Sequence, residues 1–137
     1  MKNNKGFSLV ELIIVIAIMA ILVGVMAPQL IKYIEKTNVS SDVQLCDSVR
    51  TALTTAAMDP DLVKDGHDLS DSTGGDFSSV DASVKAVASE ILGVSLDNAK
   101  SQLKSKTAKG QDIYYKKSGN QIKVYVDGYE TSIYSGN

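Results

Sequence analysis

One apolar stretch near the N-terminus constrains the fold of this chain more than any other feature of its sequence. Residues 7–31 include a single charged side chain, that of Glu11. A helix of this length is about 37 Å long, and the hydrocarbon core of a bilayer is about 30 Å thick. We therefore predict that residues 7–31 form a membrane-spanning helix. Glu11 then needs an explanation, because a carboxylate inside a membrane is rare and usually functional.

The residues around this stretch predict its orientation and leave alternatives. Lys2 and Lys5 precede it, so the positive-inside rule places the N-terminus in the cytoplasm and the rest of the chain outside. A cleaved secretory signal is one alternative, because residues 25–27 form a tolerable cleavage site. Pro28 directly after that site and Glu11 inside the apolar run oppose it. A simple signal anchor, the other alternative, explains the span but not the acid.

The motif Lys5-Gly6-Phe7-Ser8-Leu9-Val10-Glu11 leads directly into the apolar run. This motif resembles the start of type IV pilins and their relatives, the pseudopilins of type II secretion and the competence pilins. The resemblance covers about the first 35 residues. It implies that a prepilin peptidase cuts after Gly6, leaving 1–6 as the leader peptide, and that the amine of Phe7 is then methylated. It also implies a long helix packed on an antiparallel sheet.

The position of Glu11 suggests how a filament would use it. Its carboxylate lies about 6 Å along the helix from Phe7, so in a bilayer it can reach toward the headgroups. In a water-poor filament core it needs a cation, and processing supplies the Phe7 amine. We predict that Glu11 of one subunit pairs with the Phe7 amine of a neighbour, which favours one stagger of the filament.

Gly24 and Pro28 weaken the same part of the helix. Proline removes a helical hydrogen bond and glycine has a low helix propensity. The resemblance favours local loss of helicity in a filament, and a static kink is equally consistent with the sequence.

The segment after the apolar run, 32–58, is predicted to continue the same helix with one buried face. Its apolar residues recur at three- and four-residue steps: Val39, Val43, Cys46, Val49, Leu53, Ala56 and Ala57. The helix is predicted to end at Met58, because Asp59 precedes Pro60. Cys46 is the one cysteine of the chain, and we predict an ordinary buried thiol.

The remaining segment, 59–137, is predicted to be a globular head, which makes the chain an α+β protein. Residues 59–76 suggest a surface loop. A short helix follows in this connection, with Ser79 or Asp81 near its start and Gly93 past its end. Residues 95–109 are ambiguous. Three antiparallel strands are predicted at 112–117, 121–126 and 129–134, with Ile122, Val124 and Val126 facing the long helix.

No catalytic arrangement is evident, and we predict that the protein is not an enzyme and needs no cofactor. His67 is predicted to be an ordinary surface residue. Asp65, Asp68 and Asp71 are weak candidates for calcium ligands, since their spacing does not match a helix-loop-helix calcium site.

Charge is distributed unevenly along the predicted head. Residues 59–81 hold seven aspartates and one lysine, whereas residues 100–123 hold seven lysines and one aspartate. The two segments could dock on each other between stacked subunits. The lysines, with Tyr114, Tyr115 and Tyr125, could instead hold DNA. A solvated surface is the simplest interpretation.

The resemblance and the residues together predict a structural pilus subunit. It would be processed by a prepilin peptidase, held in the cytoplasmic membrane by a single span, and polymerised with other copies by the pilus assembly machinery into an extracellular filament. One alternative is a pseudopilin of a type II secretion or competence system. The other is a membrane-anchored monomeric binding module.

Overall fold

The computed structural model describes residues 6–126, except the side chain of residue 73, and the backbone of residues 134–135. The chain divides into two units, Met1–Glu35 and Lys36–Asn137. Helix α1 (Leu9–Ala57) begins in unit 1 and ends in unit 2. The predicted long helix is therefore confirmed, with Phe7 and Ser8 lying before its first turn.

In unit 1, α1 has no buried face. Every described residue from Gly6 to Ile34 is exposed, and the large apolar side chains from Leu9 to Ile34 are between 49% and 74% exposed. Within the described part of the chain, α1 is the one helix with the length and composition needed to cross a membrane. A signal sequence can meet the same two criteria, so this finding alone does not choose between the predicted functions.

In unit 2, α1 buries one face because its apolar residues follow the helical repeat. Its fully or almost fully buried residues are Asp42, Cys46, Val49, Ala52, Leu53 and Ala56. The helix ends at Ala57, one residue before the predicted end. Asp59, the residue before Pro60, has an extended backbone with φ −61° and ψ 119°, as a following proline requires.

The prediction of a surface loop over residues 59–76 is wrong in part, because this segment contains two short elements. Helix α2 (Pro60–Lys64) is capped by Asp59, whose Oδ1 accepts a hydrogen bond of 2.9 Å from the amide of Asp61. Strand β1 (Ser72–Gly75) has the sequence Ser-Thr-Gly-Gly. The loop-like composition of this segment gives no signal for either element. Strand β1 in particular carries no apolar alternation.

The short helix predicted before Gly93 is confirmed as α3 (Ala82–Leu92). Asp81 caps it by accepting hydrogen bonds from the amides of Ser83 and Val84, and Gly93 ends it with a left-handed backbone of φ 83°. Turns of 3₁₀ helix lie on either side, at Phe77–Ser79 and Leu96–Gln102. The second of these turns occupies the segment that the sequence left ambiguous.

The sheet is antiparallel, with the strand order β1-β2-β3-β4. Strands β2 (Ile113–Ser118) and β3 (Gln121–Val126) match their predictions within one residue. Strand β4 (Tyr134–Ser135) lies at the end of the predicted third strand, and residues 127–133 are outside the described residues. The described sheet thus contains one strand more than predicted, because β1 joins its edge.

One apolar core fills unit 2. Residues of the inner sheet face, including Tyr115 and Val124, belong to the same buried cluster as Val49 and Leu53 of α1, so the long helix packs on the sheet. The predicted inward direction of Ile122, Val124 and Val126 is confirmed by exposures of 6%, 0% and 0%. A single small core thus fixes the sheet against the second half of α1.

Tyr125 departs from the simple alternation of the strand, because it is buried although its neighbours Val124 and Val126 occupy the inner face. Its ring stacks on Tyr114 at 5.7 Å, and the ammonium of Lys116 lies 5.0 Å from the ring centroid. Gly74, at φ 132°, also passes close to it, since a Cβ there would lie 2.6 Å from the Tyr125 hydroxyl. The outer sheet face is therefore partly covered by its own side chains.

Candidate functional site

The predicted cleavage pair, Gly6 and Phe7, lies before the first helical turn. Both residues are exposed, Phe7 to 91%, and neither belongs to a helix or strand. Backbone outside regular secondary structure and exposed to solvent is accessible to a peptidase. Cleavage between Gly6 and Phe7 stays a prediction.

Glu11 is held by a reciprocal contact with Ser8. The Ser8 amide donates to Glu11 Oε2 at 3.1 Å, and the Glu11 amide donates to Ser8 Oγ at 3.2 Å. This is a capping box, which satisfies two of the amides that a helix start leaves without partners. The sequence analysis missed it, although serine followed three residues later by glutamate is its usual signal. In the single chain, Glu11 is thus already hydrogen-bonded at the positive end of the helix dipole.

The helix beyond Glu11 offers only apolar chemistry over several turns. Residues 12–27 are uncharged, and all of them are exposed. An apolar surface of this extent is not stable in water and marks contact with lipid or with another apolar surface. Gly24 and Pro28 both lie within this continuous helix. Local loss of helicity at these two residues in a filament stays a prediction.

Asp42 is a buried carboxylate that the sequence analysis did not single out. It lies on the inward face of α1 with no exposed surface. Its Oδ1 accepts from the Lys104 amide at 2.8 Å, and its Oδ2 accepts from the Ser105 amide at 2.9 Å. Asp42 therefore fastens the segment after the second 3₁₀ turn to the long helix.

Cys46, one helical turn after Asp42, is confirmed as a buried thiol with no exposed surface. Its burial, reinforced by the negative charge of Asp42, raises the pKa of the thiol from 9.0 to about 12. A thiol with such a pKa is a poor nucleophile at neutral pH, because the thiolate is the reactive form. The structure thus gives Cys46 a packing role.

The three weak calcium candidates have separate surroundings. Asp71 Oδ1 lies 3.2 Å from Lys117 Nζ, Asp68 accepts from the Leu69 amide, and Asp65 is exposed. Across the part of the chain that the structure describes, no three acidic, histidine or cysteine side chains are grouped closely enough to hold a metal ion. Calcium binding stays a prediction from sequence, without support from this geometry.

His67 is more specifically placed than the sequence suggested. Its Nδ1 lies 3.1 Å from Oδ2 of Asp81, the residue that caps α3. Two hydrogen bonds lower the pKa of the Asp81 carboxyl. The one from His67 has the largest effect, and the one from the Ser83 amide has the next largest. His67 therefore links the segment before β1 to the start of α3. Among the described residues, no serine, threonine or cysteine side chain is hydrogen-bonded to His67.

The acidic and the lysine-rich segments already meet inside one chain. Lys117 pairs with Asp71 of the acidic segment at 3.2 Å. Lys100 pairs with Asp112 inside the lysine-rich segment at 2.7 Å, which raises the pKa of Lys100. Docking between subunits would have to use the other charges of these segments. Of the tyrosines considered for stacking on DNA bases, Tyr115 is fully buried and cannot contact a base.

These features define a class of protein: a long helix with an exposed apolar first half, a capped acid near its start, and a small α+β unit around its second half. Residues 1–27 match the family described as the prokaryotic N-terminal methylation motif. The chain carries this motif and is similar, over about half of its length, to type IV fimbrial proteins.

Three relatives illustrate the relationship. A fimbrial protein of Moraxella nonliquefaciens is 38% identical over 68 residues, which are 50% of this chain and 44% of that protein. The type IV major fimbrial protein FimA of Dichelobacter nodosus is 41% identical over 62 residues, 45% of this chain and 40% of FimA. A fimbrial protein of Pseudomonas aeruginosa is 39% identical over 59 residues, 43% of this chain and 38% of that protein.

The matched segments span less than half the length of these relatives. No solved structure matches the chain significantly. The family match covers residues 1–27, and the fold of unit 2 stands on the structure alone.

Proposed function

We propose that this protein is a structural, non-enzymatic subunit of a type IV pilus. A prepilin peptidase removes residues 1–6, and the new amine of Phe7 is methylated. Residues 7–31 hold the subunit in the cytoplasmic membrane, with the N-terminus in the cytoplasm, until the assembly machinery adds it to an extracellular homopolymer. The observation that carries this proposal is the methylation motif at the start of a helix whose apolar first half is exposed.

The exposed apolar surface supports both stages of this proposal. Burying apolar surface contributes about 25 cal/mol per Å², so side chains that are more than half exposed favour any environment that removes them from water. Lipid covers them in the membrane, and the helices of other copies cover them in a filament. Within the described residues, a single chain in water does not bury these side chains, since no residue of unit 1 is buried.

Glu11 can form a polar contact with a neighbouring subunit when the subunit passes from the membrane to the filament. Its capping contact with Ser8 satisfies part of its hydrogen-bonding capacity inside one chain. Each carboxylate oxygen can accept more than one hydrogen bond, so Glu11 can also accept the Phe7 ammonium of a neighbouring subunit. Methylation of that amine leaves its positive charge intact. Capping and pairing between subunits are therefore compatible.

The first test is mass spectrometry of the N-terminal peptide from native cells. The expected peptide begins at Phe7 with one additional methyl group, and a Gly6→Val variant should retain Met1. An anchored binding module would keep Met1 in the parent chain as well. An uncut, unmethylated N-terminus in the parent would overturn the proposal.

The second test separates the charge of Glu11 from its capping role. Glu11→Gln preserves the capping hydrogen bond, because glutamine also completes a capping box, but removes the charge. We expect both Glu11→Gln and Glu11→Ala to be processed normally and to form few or no filaments in electron micrographs. Normal assembly of Glu11→Gln would show that pairing with the Phe7 amine is not needed.

A pseudopilin of a secretion or competence system shares these processing steps, so the two tests above do not distinguish it from a pilin. Electron microscopy of shed material does. Long surface fibres containing this chain are expected for the pilin. Processed chains that never leave the cell envelope would favour the pseudopilin.

A further inference from the structure

The apolar first half of α1 has a charged residue at each end. Glu11 lies at its start, and the next charged residue along the chain is Lys32. Residues 12–31, between the two, are uncharged and exposed. A helix needs about twenty such residues to cross a bilayer, which is the length of this segment. The segment and both charged residues belong to unit 1 and to one continuous helix.

The spacing of the two charged residues matches the thickness of a bilayer. Glu11 and Lys32 are about 32 Å apart along the helix, and the hydrocarbon core of a bilayer is about 30 Å thick. With Glu11 at the level of the cytoplasmic headgroups, Lys32 reaches the level of the external ones. Sliding the helix by a turn in either direction would draw one of the two charges into hydrocarbon, which is costly. The charges thus favour one position of the helix across the membrane.

The external end of this segment carries side chains that favour a lipid–water interface. Gln29, Lys32 and Tyr33 are spaced three and four residues apart, so they lie on the same side of α1. All three are exposed, Tyr33 to 70%. A lysine extends its ammonium toward the headgroups while its methylene chain stays among the acyl chains, and tyrosine is enriched at this depth. Gln29 is the one polar side chain of residues 12–31, and it lies within one turn of Lys32.

The start of α1 suits the opposite headgroup layer. A helix start leaves backbone amides without partners inside the helix, and such amides are costly in hydrocarbon. The capping box satisfies the amides of Ser8 and Glu11. Other amides of the first turn find partners in water or in headgroups when this turn lies outside the hydrocarbon. The helix start therefore favours the same position as the two charged residues.

We propose that Lys32 and Tyr33 form a lipid-anchoring site, which binds the external headgroup layer of the membrane that holds the unassembled subunit. This inference rests on the membrane-held stage of the proposed function. It adds the position of the helix: residues 12–31 cross the hydrocarbon, and Glu11 lies at the cytoplasmic headgroups. The lipid-anchoring site resists sliding of the helix toward the cytoplasm, because Lys32 would then have to enter the hydrocarbon.

The test measures the depth of single tryptophans, since the chain itself contains none. Tyr33→Trp reports on the lipid-anchoring site, and Ile21→Trp reports on the middle of residues 12–31. Each full-length variant is placed as one copy per lipid nanodisc. The lipids carry bromine, which quenches tryptophan fluorescence on contact, either near the headgroups or near the ends of the acyl chains. We expect shallow bromines to quench Tyr33→Trp about twice as strongly as deep ones, and the reverse for Ile21→Trp.

The role of Lys32 is tested by two substitutions in the Tyr33→Trp chain. Lys32→Leu extends the uncharged segment from Ile31 to Ile34, so the helix should move inward, and the ratio of shallow to deep quenching should fall about twofold. Lys32→Arg keeps the positive charge and should leave this ratio unchanged. An unchanged ratio in Lys32→Leu would show that Lys32 is not an anchor, and the inference would be wrong.

Quenching of Tyr33→Trp mainly by deep bromines, or by neither set, would also overturn the inference. Quenching that appears only when several copies share a nanodisc would do the same, because another chain would then hold this part of the helix.

The Ile21→Trp variant separates this inference from the proposed function. If deep bromines do not quench it, the chain does not cross the membrane, and the membrane-held stage itself fails. If they quench it while Tyr33→Trp departs from expectation, only the lipid-anchoring site is refuted. The assay needs no processing or filament formation, so an uncut N-terminus in native cells would refute the pilus proposal without changing either result.

Discussion

Asp42 has a charged side chain with no exposed surface, and its surroundings explain why this is tolerated. A buried carboxylate is costly unless hydrogen bonds replace the water it has lost. Two backbone amides, from Lys104 and Ser105, do so at short distances. Asp42 and the two residues whose amides compensate its burial are more than sixty positions apart along the chain, so a local sequence pattern cannot predict this contact.

Removing the Asp42 carboxylate should therefore destabilise unit 2. Asp42→Ala leaves the amides of Lys104 and Ser105 without their acceptors, which should lower the free energy of unfolding by about 3 kcal/mol. The measurement is urea unfolding of the full-length chain in detergent, followed by near-UV circular dichroism. Asp47→Ala is the matched control on the exposed side of α1, where the 3.0 Å ion pair with Arg50 should contribute less than about 0.5 kcal/mol. Similar losses in both variants would contradict this role of Asp42.

Cys46 should make stability depend on pH in the alkaline range. The pKa of its thiol is raised from 9.0 to about 12 in the folded chain, so the folded state binds this proton more tightly than the unfolded state. Its contribution is complete below pH 9 and is lost as the pH rises from 9 toward 12. The urea midpoint should therefore fall more steeply with pH in the parent than in Cys46→Ala. Parallel pH profiles would show that the thiol stays protonated in both states or is not buried.

At the scale of elements, the sequence predicted those whose signals are local. The apolar repeat of α1, the Asp81 and Gly93 boundaries of α3, and the alternation in β3 each lie within a few adjacent residues. Strand β1 could not be predicted, because its pairing with β2 comes from residues forty or more positions away. The capping box also has a local signal, Ser8 followed three residues later by Glu11, but the sequence analysis interpreted these residues only in terms of the membrane and the filament.

The end of α3 allows a prediction at this scale. Gly93 has φ 83°, and no atom lies within 4 Å of the position that a Cβ would take, so backbone strain alone should determine the effect of a substitution. Gly93→Ala should lower the free energy of unfolding by about 1 kcal/mol. Gly93→Asn should lower it less, because asparagine tolerates the left-handed region. Equal effects of the two variants would exclude this explanation.

At the scale of the whole molecule, burial is confined to one unit. The buried core residues run from Cys46 to Val126, and all of them belong to unit 2. The described residues of unit 1 bury nothing. The buried apolar core of the described residues therefore lies within unit 2.

This distribution predicts that residues 36–137 fold without the apolar segment. Expressed alone, they should be soluble and monomeric by size-exclusion chromatography, and should unfold in one cooperative transition. The full-length chain, in contrast, should require detergent or lipid to stay in solution. Aggregation of residues 36–137, or a gradual, non-cooperative melt, would show that unit 2 depends on unit 1.

The hydrogen bonds between Ser8 and Glu11 close within a single chain, and this bears on the timing of polymerisation for the proposed subunit. Glu11, the single acid of residues 7–31, already accepts a hydrogen bond inside its own chain, so another copy in the bilayer stabilises it less than it would stabilise an unpaired carboxylate. For the proposed subunit we therefore expect that membrane-held copies do not nucleate a filament on their own, and that growth begins only when the assembly machinery extracts them.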